Sequence, residues 1–187
     1  MHNSTGLILA GGAGLRAGGR DKGLIEWQGQ PLVKHVVERL RPQVGRLLIS
    51  CNRNIEIYRT LADATVSDRR AGYEGPLAGI EAAIEQVQTE FLIVAPCDNP
   101  LLPDNIVQGL LAAFDASGDP LADISYAHDG EREQYLCAAL RRRVLDSLPA
   151  YLDQGNRAVH HWYSLHRSVA VDFTRQHRCF SNLNRLN

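Results

Sequence analysis

Short apolar runs alternate with stretches of helical periodicity along most of the chain. Three early runs predict β-strands, at 5–12, 45–52 and 89–98. In the stretches between and after them, apolar residues recur every three to four positions, which predicts helices that bury one face. These helices are expected at 31–43, 56–64, 75–87 and 103–114. Alternation of strands and helices predicts parallel strands joined by right-handed crossovers.

The last third of the chain continues the pattern with shorter elements. Further strands are predicted at 122–128, 134–141 and 168–173, and helices at 142–155 and 156–166. A length of 187 residues fits one domain, so we assign residues 1–187 to a single unit. The fold class predicted is α/β: a three-layer, Rossmann-like domain with a mostly parallel central sheet.

The ends of the predicted strands indicate where a ligand binds. Open α/β sheets bind ligands beyond the carboxyl ends of their strands. The residues that follow the first three strands are Gly11 onward, Ser50 to Asn52, and Cys97 with Asp98. We therefore expect these three short segments to share one edge of the sheet, which we call the carboxyl edge.

Composition and charge narrow the choice of partners. The chain is 44% apolar and 22% charged, and its formal net charge of −1 supplies no global attraction for nucleic acid or anionic membrane. The four cysteines show neither CxxC nor zinc-ligand spacing, and are expected as free thiols in a reducing compartment. The apolar runs are too short to span a bilayer and no signal peptide is evident, so we expect a cytoplasmic protein.

The glycine-rich stretch LAGGAGLRAGGRDKG, at 9–23, follows the first strand and admits several interpretations. Gly12, Gly14 and Ala17 match the dinucleotide-binding pattern G-x-G-x-x-G/A. That pattern leads directly into a helix, whereas the next predicted helix begins near Pro31. It also requires an acidic residue at the end of the second strand, where LLISCNRN has none. The dinucleotide interpretation therefore remains the weaker one.

Two other interpretations of the same stretch fit less well. A P-loop places Gly before its lysine and Ser or Thr after it, whereas Lys22 lies between Asp21 and Gly23. A plain linker is unexpected, because long loops inside compact domains usually serve function. Backbone N–H groups of a glycine-rich loop can bind an anion, and Arg16 and Lys22 add positive charge. The stretch is thus predicted to hold phosphate. The alternative for Arg16 and Lys22 is that both side chains lie on a solvated loop surface.

With four later segments, this stretch resembles one enzyme family. The segments are GPLAGI at 75–80, PCDNP at 96–100, HDGER at 128–132 and FSNLN at 180–184. In this order they are similar to the molybdenum cofactor guanylyltransferases, a branch of the nucleotidyltransferases, and the resemblance implies the nucleotidyltransferase fold. Four departures stand out: Ala17 replaces Met or Leu, Ser50 replaces Asn, EREQYLCAAL at 131–140 replaces a segment that often holds proline, and the helix that usually follows FSNLN is not expected.

The resemblance implies a nucleotide site on the N-terminal half. The residues implied in nucleotide binding are Leu9, Ala10, Gly11, Gly12, Gly14, Lys22, Asn52, Asp68 and Asp98. Arg16 and Lys22 would neutralise charge on the leaving pyrophosphate, and together with Asp98 they form the implied catalytic set. Asp98 is the implied ligand for Mg²⁺, which binds few carboxylates together with phosphates. For Asp68 a turn position, and for Asp98 a helix N-terminal position, remain the structural alternatives.

The resemblance further implies that the C-terminal half binds molybdopterin. The candidate substrate-binding residues are Gly79, Arg132, Arg157, Asn182 and Asn184, with His160 and His161 also available. The implied reaction transfers GMP from GTP to the terminal phosphate of molybdopterin and releases pyrophosphate. We expect a monomer that contacts molybdoenzymes or other cofactor-assembly proteins transiently, and that binds neither nucleic acid nor membrane.

Two other functions remain open at this point. One is a relative that uses CTP or activates a sugar phosphate, since the sequence does not locate the groups that read the base. The other is a module that binds a nucleotide or delivers cofactor without catalysis. The guanylyltransferase hypothesis is favoured because Lys22 and Asp98 exceed what simple binding requires.

Overall fold

A computed structural model of the chain describes residues 3–12, 20–70, 75–116 and 122–180. Its strands are β1 (Ser4–Leu9), β2 (Glu26–Trp27), β3 (Gln30–Pro31), β4 (Arg46–Ser50), β5 (Ala64–Val66), β6 (Phe91–Pro96), β7 (Ile124–His128), β8 (Glu133–Arg141) and β9 (Ser168–Asp172). Its α-helices are α1 (Leu32–Leu40), α2 (Ile55–Arg59), α3 (Pro76–Ala83), α4 (Ile106–Ala116), α5 (Leu148–Asp153) and α6 (Val159–Ser164).

Seven of these strands form one central sheet in the order β5-β4-β1-β6-β8-β7-β9. The four adjacent strands β5, β4, β1 and β6 run parallel to one another, and β9 is parallel to β7. Strand β8 runs antiparallel to both β6 and β7. The short turn at 129–132 makes β7 and β8 a hairpin, which forces antiparallel pairing. The prediction of a mostly parallel sheet is confirmed.

Helices cover both faces of the sheet and produce two buried layers. Adjacent residues of β1 point to opposite faces: Ile8 packs in one cluster with α1 and α4. Leu7 packs in the other cluster with α3, α5 and α6, which includes the buried Trp162. Strands buried on both faces explain why the early apolar runs are continuous instead of alternating. The predicted three-layer arrangement is therefore confirmed.

Two short elements differ from the sequence-based expectation. The helix expected at 56–64 ends at Arg59, and Ala64–Val66 instead pair with β4 as an edge strand. Strands β2 and β3 form a hairpin whose turn residues, Gln28 and Gly29, both have positive φ values of 49° and 79°. Such a turn suits a two-residue hairpin loop. It brings the chain back to the start of α1.

The segment expected as a helix at 142–155 has two parts. A 3₁₀ helix covers Arg142–Ser147, and α5 follows it with Pro149 in its first turn.

None of the helices within the described ranges is long and apolar enough to cross a membrane.

Candidate functional site

The carboxyl edge is formed as predicted, because β1, β4 and β6 end side by side. The Ala10 N–H donates to the Ser50 carbonyl at 2.8 Å, beyond the β1–β4 ladder. On the other side, the Cys97 N–H donates to the Leu9 carbonyl at 3.1 Å. These two bonds hold the residues after the three strands at one edge of the sheet. Asp98 then follows Cys97 directly.

Asn52 joins two parts of the carboxyl edge. Its Nδ2 donates to the Gly11 carbonyl at 3.1 Å and to Asp68 Oδ2 at 2.7 Å, and its Oδ1 accepts from the Asp68 N–H at 2.9 Å. Both amide hydrogens are therefore used within the protein. A Cβ on Gly11 would lie 3.1 Å from Asn52 Nδ2, so glycine permits this close approach. Asn52 thus orients Gly11 and Asp68 at the edge.

Asp68 keeps one carboxylate oxygen available beside this contact. Its Oδ1 is buried and has no hydrogen-bond partner among the described residues. Burial raises the pKa of Asp68 above its ordinary value, and the Asn52 hydrogen bond only partly opposes this. A buried acceptor without a partner is costly unless a ligand or water satisfies it. Asp68 is consequently suited to accept a hydrogen bond from a bound molecule.

Lys22 and Asp98 form an ion pair across the carboxyl edge. Lys22 Nζ lies in direct contact with Asp98 Oδ2, although the two residues are 76 positions apart. The Asp98 side chain is 12% exposed and the Lys22 side chain 32% exposed. The Lys22 ammonium and the Asp98 carboxylate therefore meet at the carboxyl edge, near the ends of β1 and β6. Such a pair can serve an anionic ligand and a cation at the same place.

The turn that carries Lys22 is held by Asp21, which sequence reasoning did not single out. The carboxylate of Asp21 accepts from the Gly23 N–H at 3.2 Å, from Asn54 Nδ2 at 2.9 Å and from the Tyr58 hydroxyl at 2.6 Å. Asp21 thereby caps the 3₁₀ helix Lys22–Leu24. An Asp directly before a short turn is a recognisable cap signal, but its contacts to the α2 region are long-range.

Arg53 spans the two described ends of the glycine-rich stretch. Its NH2 donates to the Gly12 carbonyl at 3.3 Å and to the Arg20 carbonyl at 3.0 Å. A Cβ built on Gly12 meets no atom of the described residues within 4 Å. The predicted site residues Gly14 and Arg16, together with Ala17, lie outside the described residues.

A cavity of about 460 Å³ opens beside Asp98 in the C-terminal half, and we call it the C-terminal cavity. It extends from the end of β6 to strand β8 and the start of α6. Its lining residues are Pro76, Pro96, Asp98, Arg132, Glu133, Gln134, Tyr135, Leu136, Cys137, Val159 and His160. Because Asp98 belongs both to this cavity and to the ion pair, the cavity adjoins the carboxyl edge.

Aromatic side chains form one wall of the C-terminal cavity. The Tyr135 ring lies 6.1 Å from the His160 ring, centroid to centroid. Behind it, the rings of Tyr126 and Tyr163 lie at 4.9 Å and 5.9 Å from Tyr135. Offset and tilted aromatic contacts of this kind suit a planar ligand. The sequence did not identify Tyr135, because its place in the cavity depends on the β7–β8 hairpin.

Arg132 reaches the C-terminal cavity from a loop that Asp129 organises. The Asp129 carboxylate accepts from the N–H groups of Glu131 and Arg132, both at 2.9 Å, and from Gln134 Nε2 at 2.6 Å. Burial alone would raise the pKa of Asp129, but these hydrogen bonds outweigh it and lower the pKa. The hydrogen bonds that shape the loop thus favour the ionised form of Asp129.

The structure separates two other predicted substrate-binding residues, Gly79 and Arg157, from this cavity. Gly79 packs under the carboxyl edge, where an added Cβ would lie 2.6 Å from Ser50 Oγ. Arg157 donates to the carbonyls of Leu152 and Asn156 at 2.8 Å and 2.6 Å, and is not among the residues lining the cavity. Asn182 and Asn184 lie outside the described residues. Binding roles for these four residues stay predictions.

The carboxylate at this site that could bind a divalent cation is that of Asp98. Among the described residues, no group of three or more His, Cys, Asp or Glu side chains is arranged to hold a metal. Mg²⁺ commonly binds through one or two carboxylates, completing its shell with phosphate oxygens and water. The buried, hard-oxygen carboxylate of Asp98 fits that mode, provided that a phosphate-bearing ligand is present.

Comparison with known sequences gives a consistent result. The family model described as MobA-like NTP transferase domain matches residues 6–169. A molybdenum cofactor guanylyltransferase of Shewanella sediminis is 43% identical over 178 residues, covering 95% of this chain and 89% of the relative. A protein of the same name from Shewanella loihica has the same identity and the same coverage.

Solved structures share the fold at low sequence identity. The molybdopterin-guanine dinucleotide biosynthesis protein A of Archaeoglobus fulgidus superposes with a TM-score of 0.76 at 22% identity, covering 96% of this chain and 92% of that one. A CMP:2-keto-3-deoxy-manno-octonic acid synthetase complexed with CTP gives a TM-score of 0.66 at 15% identity, covering 90% of each chain. These similarities concern the fold alone.

Proposed function

The chain belongs to the MobA-like NTP transferase family, and on that premise we propose that it is a molybdenum cofactor guanylyltransferase. It would transfer GMP from GTP to the terminal phosphate of molybdopterin and release pyrophosphate. The observation that carries this proposal is the Lys22–Asp98 pair, which lies between the carboxyl edge and the C-terminal cavity. A nucleotide on the edge and a second substrate in the cavity would meet at these two residues.

The proposed chemistry needs little from the protein as an acid or a base. An oxygen of the molybdopterin phosphate forms a bond to the α-phosphorus of GTP. The bond from that phosphorus to the α,β-bridging oxygen breaks, and the electron pair leaves with pyrophosphate. The attacking phosphate is already ionised near neutral pH, since its second pKa is about 6. Catalysis then consists of positioning and neutralisation of charge.

The charge on the phosphates would be neutralised by Lys22 and by an Mg²⁺ ion that Asp98 holds. Lys22 would contact the β- and γ-phosphates and stabilise the charge that grows on the leaving group. The resemblance adds Arg16 to this role. Asp98 would hold Mg²⁺, which when bound polarises the α-phosphate and offsets the triphosphate charge. Because Lys22 and Asp98 are in contact, the phosphates and the cation would be held side by side.

The remainder of the carboxyl edge is proposed to bind the nucleotide. The backbone of Leu9, Ala10 and Gly11 would line the nucleoside, and glycine at 12 and 14 would allow the phosphates to approach the chain. Asp68 Oδ1 supplies an acceptor that no described residue satisfies. Asn52 contributes by orienting Asp68, since both of its amide hydrogens are bonded within the protein.

The C-terminal cavity is proposed to bind molybdopterin. Tyr135 and His160 offer aromatic surface to the planar ring system. Arg132 offers a cation to its phosphate. This orientation brings the phosphate toward Asp98, where the bond to GMP would form. A cytoplasmic location, a monomeric state and transient contact with molybdoenzymes or other cofactor-assembly proteins stay predictions.

The decisive experiment is nucleotide transfer with α-labelled GTP, molybdopterin and Mg²⁺, followed by identification of the product. The proposal expects labelled guanine dinucleotide cofactor and one pyrophosphate per product. CTP, ATP and UTP are tested in parallel at equal concentration. Preferential transfer from CTP would replace the proposed nucleotide, and binding of GTP without pyrophosphate release would indicate a non-catalytic module.

A further inference from the structure

Lys22 lies in a helical element that is too short to fix its own backbone. It begins a 3₁₀ turn of only three residues, Lys22–Leu24. Helical segments this short are not stable by their own hydrogen bonds. A lysine side chain also has many rotamers and no fixed geometry of its own. The contact between Lys22 and Asp98 therefore depends on whatever fixes the backbone of this turn.

Asp21 fixes the turn from its N-terminal side. Its side chain is only 6% exposed, so its charge requires partners inside the protein. Besides capping the Gly23 N–H, it accepts from Asn54 and from Tyr58, which are 33 and 37 positions away. Asp21 consequently ties the lysine-bearing turn to α2 and to the residue just before it.

Tyr58 completes the attachment from within the core. It is fully buried, and its hydroxyl donates to Asp21 Oδ1 at 2.6 Å. A Cβ built on Gly23 would lie 2.6 Å from the same hydroxyl, so the tyrosine is packed directly against the turn. Burial, together with the hydrogen bond to Asp21, raises the pKa of Tyr58 far above its ordinary value. The Tyr58 hydroxyl therefore acts as a donor to Asp21.

We propose that Asp21 and Tyr58 are positioning residues, which hold the turn so that Lys22 is directed at Asp98 and at the phosphates. Neither residue needs to touch substrate. The part of this inference that concerns rate rests on the proposed function, whereas the part that concerns the placement of Lys22 does not. Two experiments separate these parts.

The first experiment measures the placement of Lys22 directly. The chain contains two lysines, Lys22 and the exposed Lys34 of α1, so amine acetylation followed by mass spectrometry reports on Lys22 with an internal reference. We expect Tyr58→Phe to raise the Lys22-to-Lys34 ratio of rates about fivefold, as for loss of one hydrogen bond. Tyr151→Phe is the matched control, since it removes a hydroxyl that donates to the Ala158 carbonyl at 2.9 Å. An unchanged ratio in Tyr58→Phe would overturn the proposal.

The second experiment is a double-mutant cycle on the transfer reaction. We expect Tyr58→Phe to lower kcat about tenfold in the wild-type background, because small misplacements of catalytic groups are costly. In a Lys22→Met background it should lower kcat no further. Tyr151→Phe should have equal effects in both backgrounds. The pH profile of Tyr58→Phe should keep its shape, and an additive Tyr58→Phe effect would reduce Tyr58 to a purely structural role.

Asp21→Asn provides a second variant should Tyr58→Phe not fold. It removes the charge while keeping the size of the side chain, and the same increase in Lys22 acetylation is expected. If the wild-type protein transfers no nucleotide at all, the proposed function fails, and the acetylation ratio still decides whether Asp21 and Tyr58 place Lys22.

Discussion

The carboxyl edge and the C-terminal cavity are adjacent but built in different ways. At the edge, the polar side chains are bonded to other parts of the protein: Asn52 to Gly11 and Asp68, and Lys22 to Asp98. In the cavity, an open volume of about 460 Å³ is bordered by aromatic and polar side chains. The edge is preorganised before any ligand binds, whereas the cavity offers surface and space.

The difference matches what each region is proposed to do. Charge that develops during a reaction is stabilised best by groups that are already in place, because they need no reorganisation. A large organic substrate is held mainly by shape and by apolar contact. We therefore expect changes at the edge to affect the rate of transfer, and changes in the cavity to affect the binding of the second substrate.

The largest effect is expected from Asp98→Asn at the junction of the two regions. It removes the proposed Mg²⁺ ligand and the partner of Lys22, and should lower the rate of pyrophosphate release about 10²- to 10³-fold at saturating Mg²⁺. Asp104→Asn is the matched control, because it removes an exposed carboxylate that pairs with Arg39 on the protein surface. A near wild-type rate in Asp98→Asn would remove the metal role from this residue.

Two glycines of the glycine-rich stretch, Gly12 and Gly23, test how far the preorganised part of the carboxyl edge extends. Gly23→Ala should lower the free energy of unfolding by about 1–3 kcal/mol, since its Cβ would collide with the buried Tyr58 hydroxyl. Gly12→Ala should change it by less than about 0.5 kcal/mol, because the added Cβ meets no atom of the described residues within 4 Å. Urea unfolding of both variants measures the difference. Equal losses would mean that the edge is not rigid around Gly23.

Tyr135→Leu tests the cavity on its own. We expect the KM for molybdopterin to rise about fivefold through loss of aromatic contact, with the KM for GTP unchanged. Both constants come from the same transfer assay, so GTP serves as the internal control. A rise in the KM for GTP alone would place the nucleotide in the cavity and reverse the assignment of the two regions.

The smallest effects concern two carboxylates whose pKa values shift in opposite directions. Burial raises the pKa of Asp68 above its ordinary value. Its ionised form therefore lowers the free energy of unfolding at neutral pH. This penalty shrinks as pH falls through the folded pKa toward the ordinary pKa. The pKa of Asp129 is lowered by hydrogen bonds that outweigh burial. It therefore adds stability above its ordinary pKa, which is lost as pH falls through the folded pKa.

Isosteric variants make this contrast measurable. At pH 7, Asp68→Asn should be slightly more stable than the wild type and Asp129→Asn less stable, each by about 1 kcal/mol. Both differences should shrink as the pH approaches about 3. Denaturant unfolding of both variants at several pH values provides the test. If the two variants changed the free energy of unfolding in the same direction, the two carboxylates would not differ in how their surroundings shift their pKa values.

The sequence predicted the elements whose signals are local. Continuous apolar runs located β1, β4 and β6, and the carboxyl-edge rule then placed Gly11, Asn52 and Asp98 on one edge, whereas Asp68 was implied only by the family resemblance. The edge strand β5 was missed because three residues carry too little pattern, and tertiary pairing with β4 determines their conformation.

The contacts of the site were predictable only where sequence position implied them. Lys22 and Asp98 were expected on the same edge, and the structure brings them into contact. Tyr58 could not be foreseen, since it reads as one apolar position of a short helix and its hydroxyl meets Asp21 only after folding. The aromatic wall likewise depends on the β7–β8 hairpin, which brings Tyr135 opposite α6.

The position of Arg53 has a consequence for how the two described ends of the glycine-rich stretch are held. One guanidinium nitrogen bonds the carbonyls of both Gly12 and Arg20. Hydrogen bonds from a charged donor are stronger than those between neutral groups, so Arg53 restrains the separation of these two carbonyls. Arg53 thus acts as a clamp on the backbone, and loss of this one side chain would release Gly12 and Arg20 together.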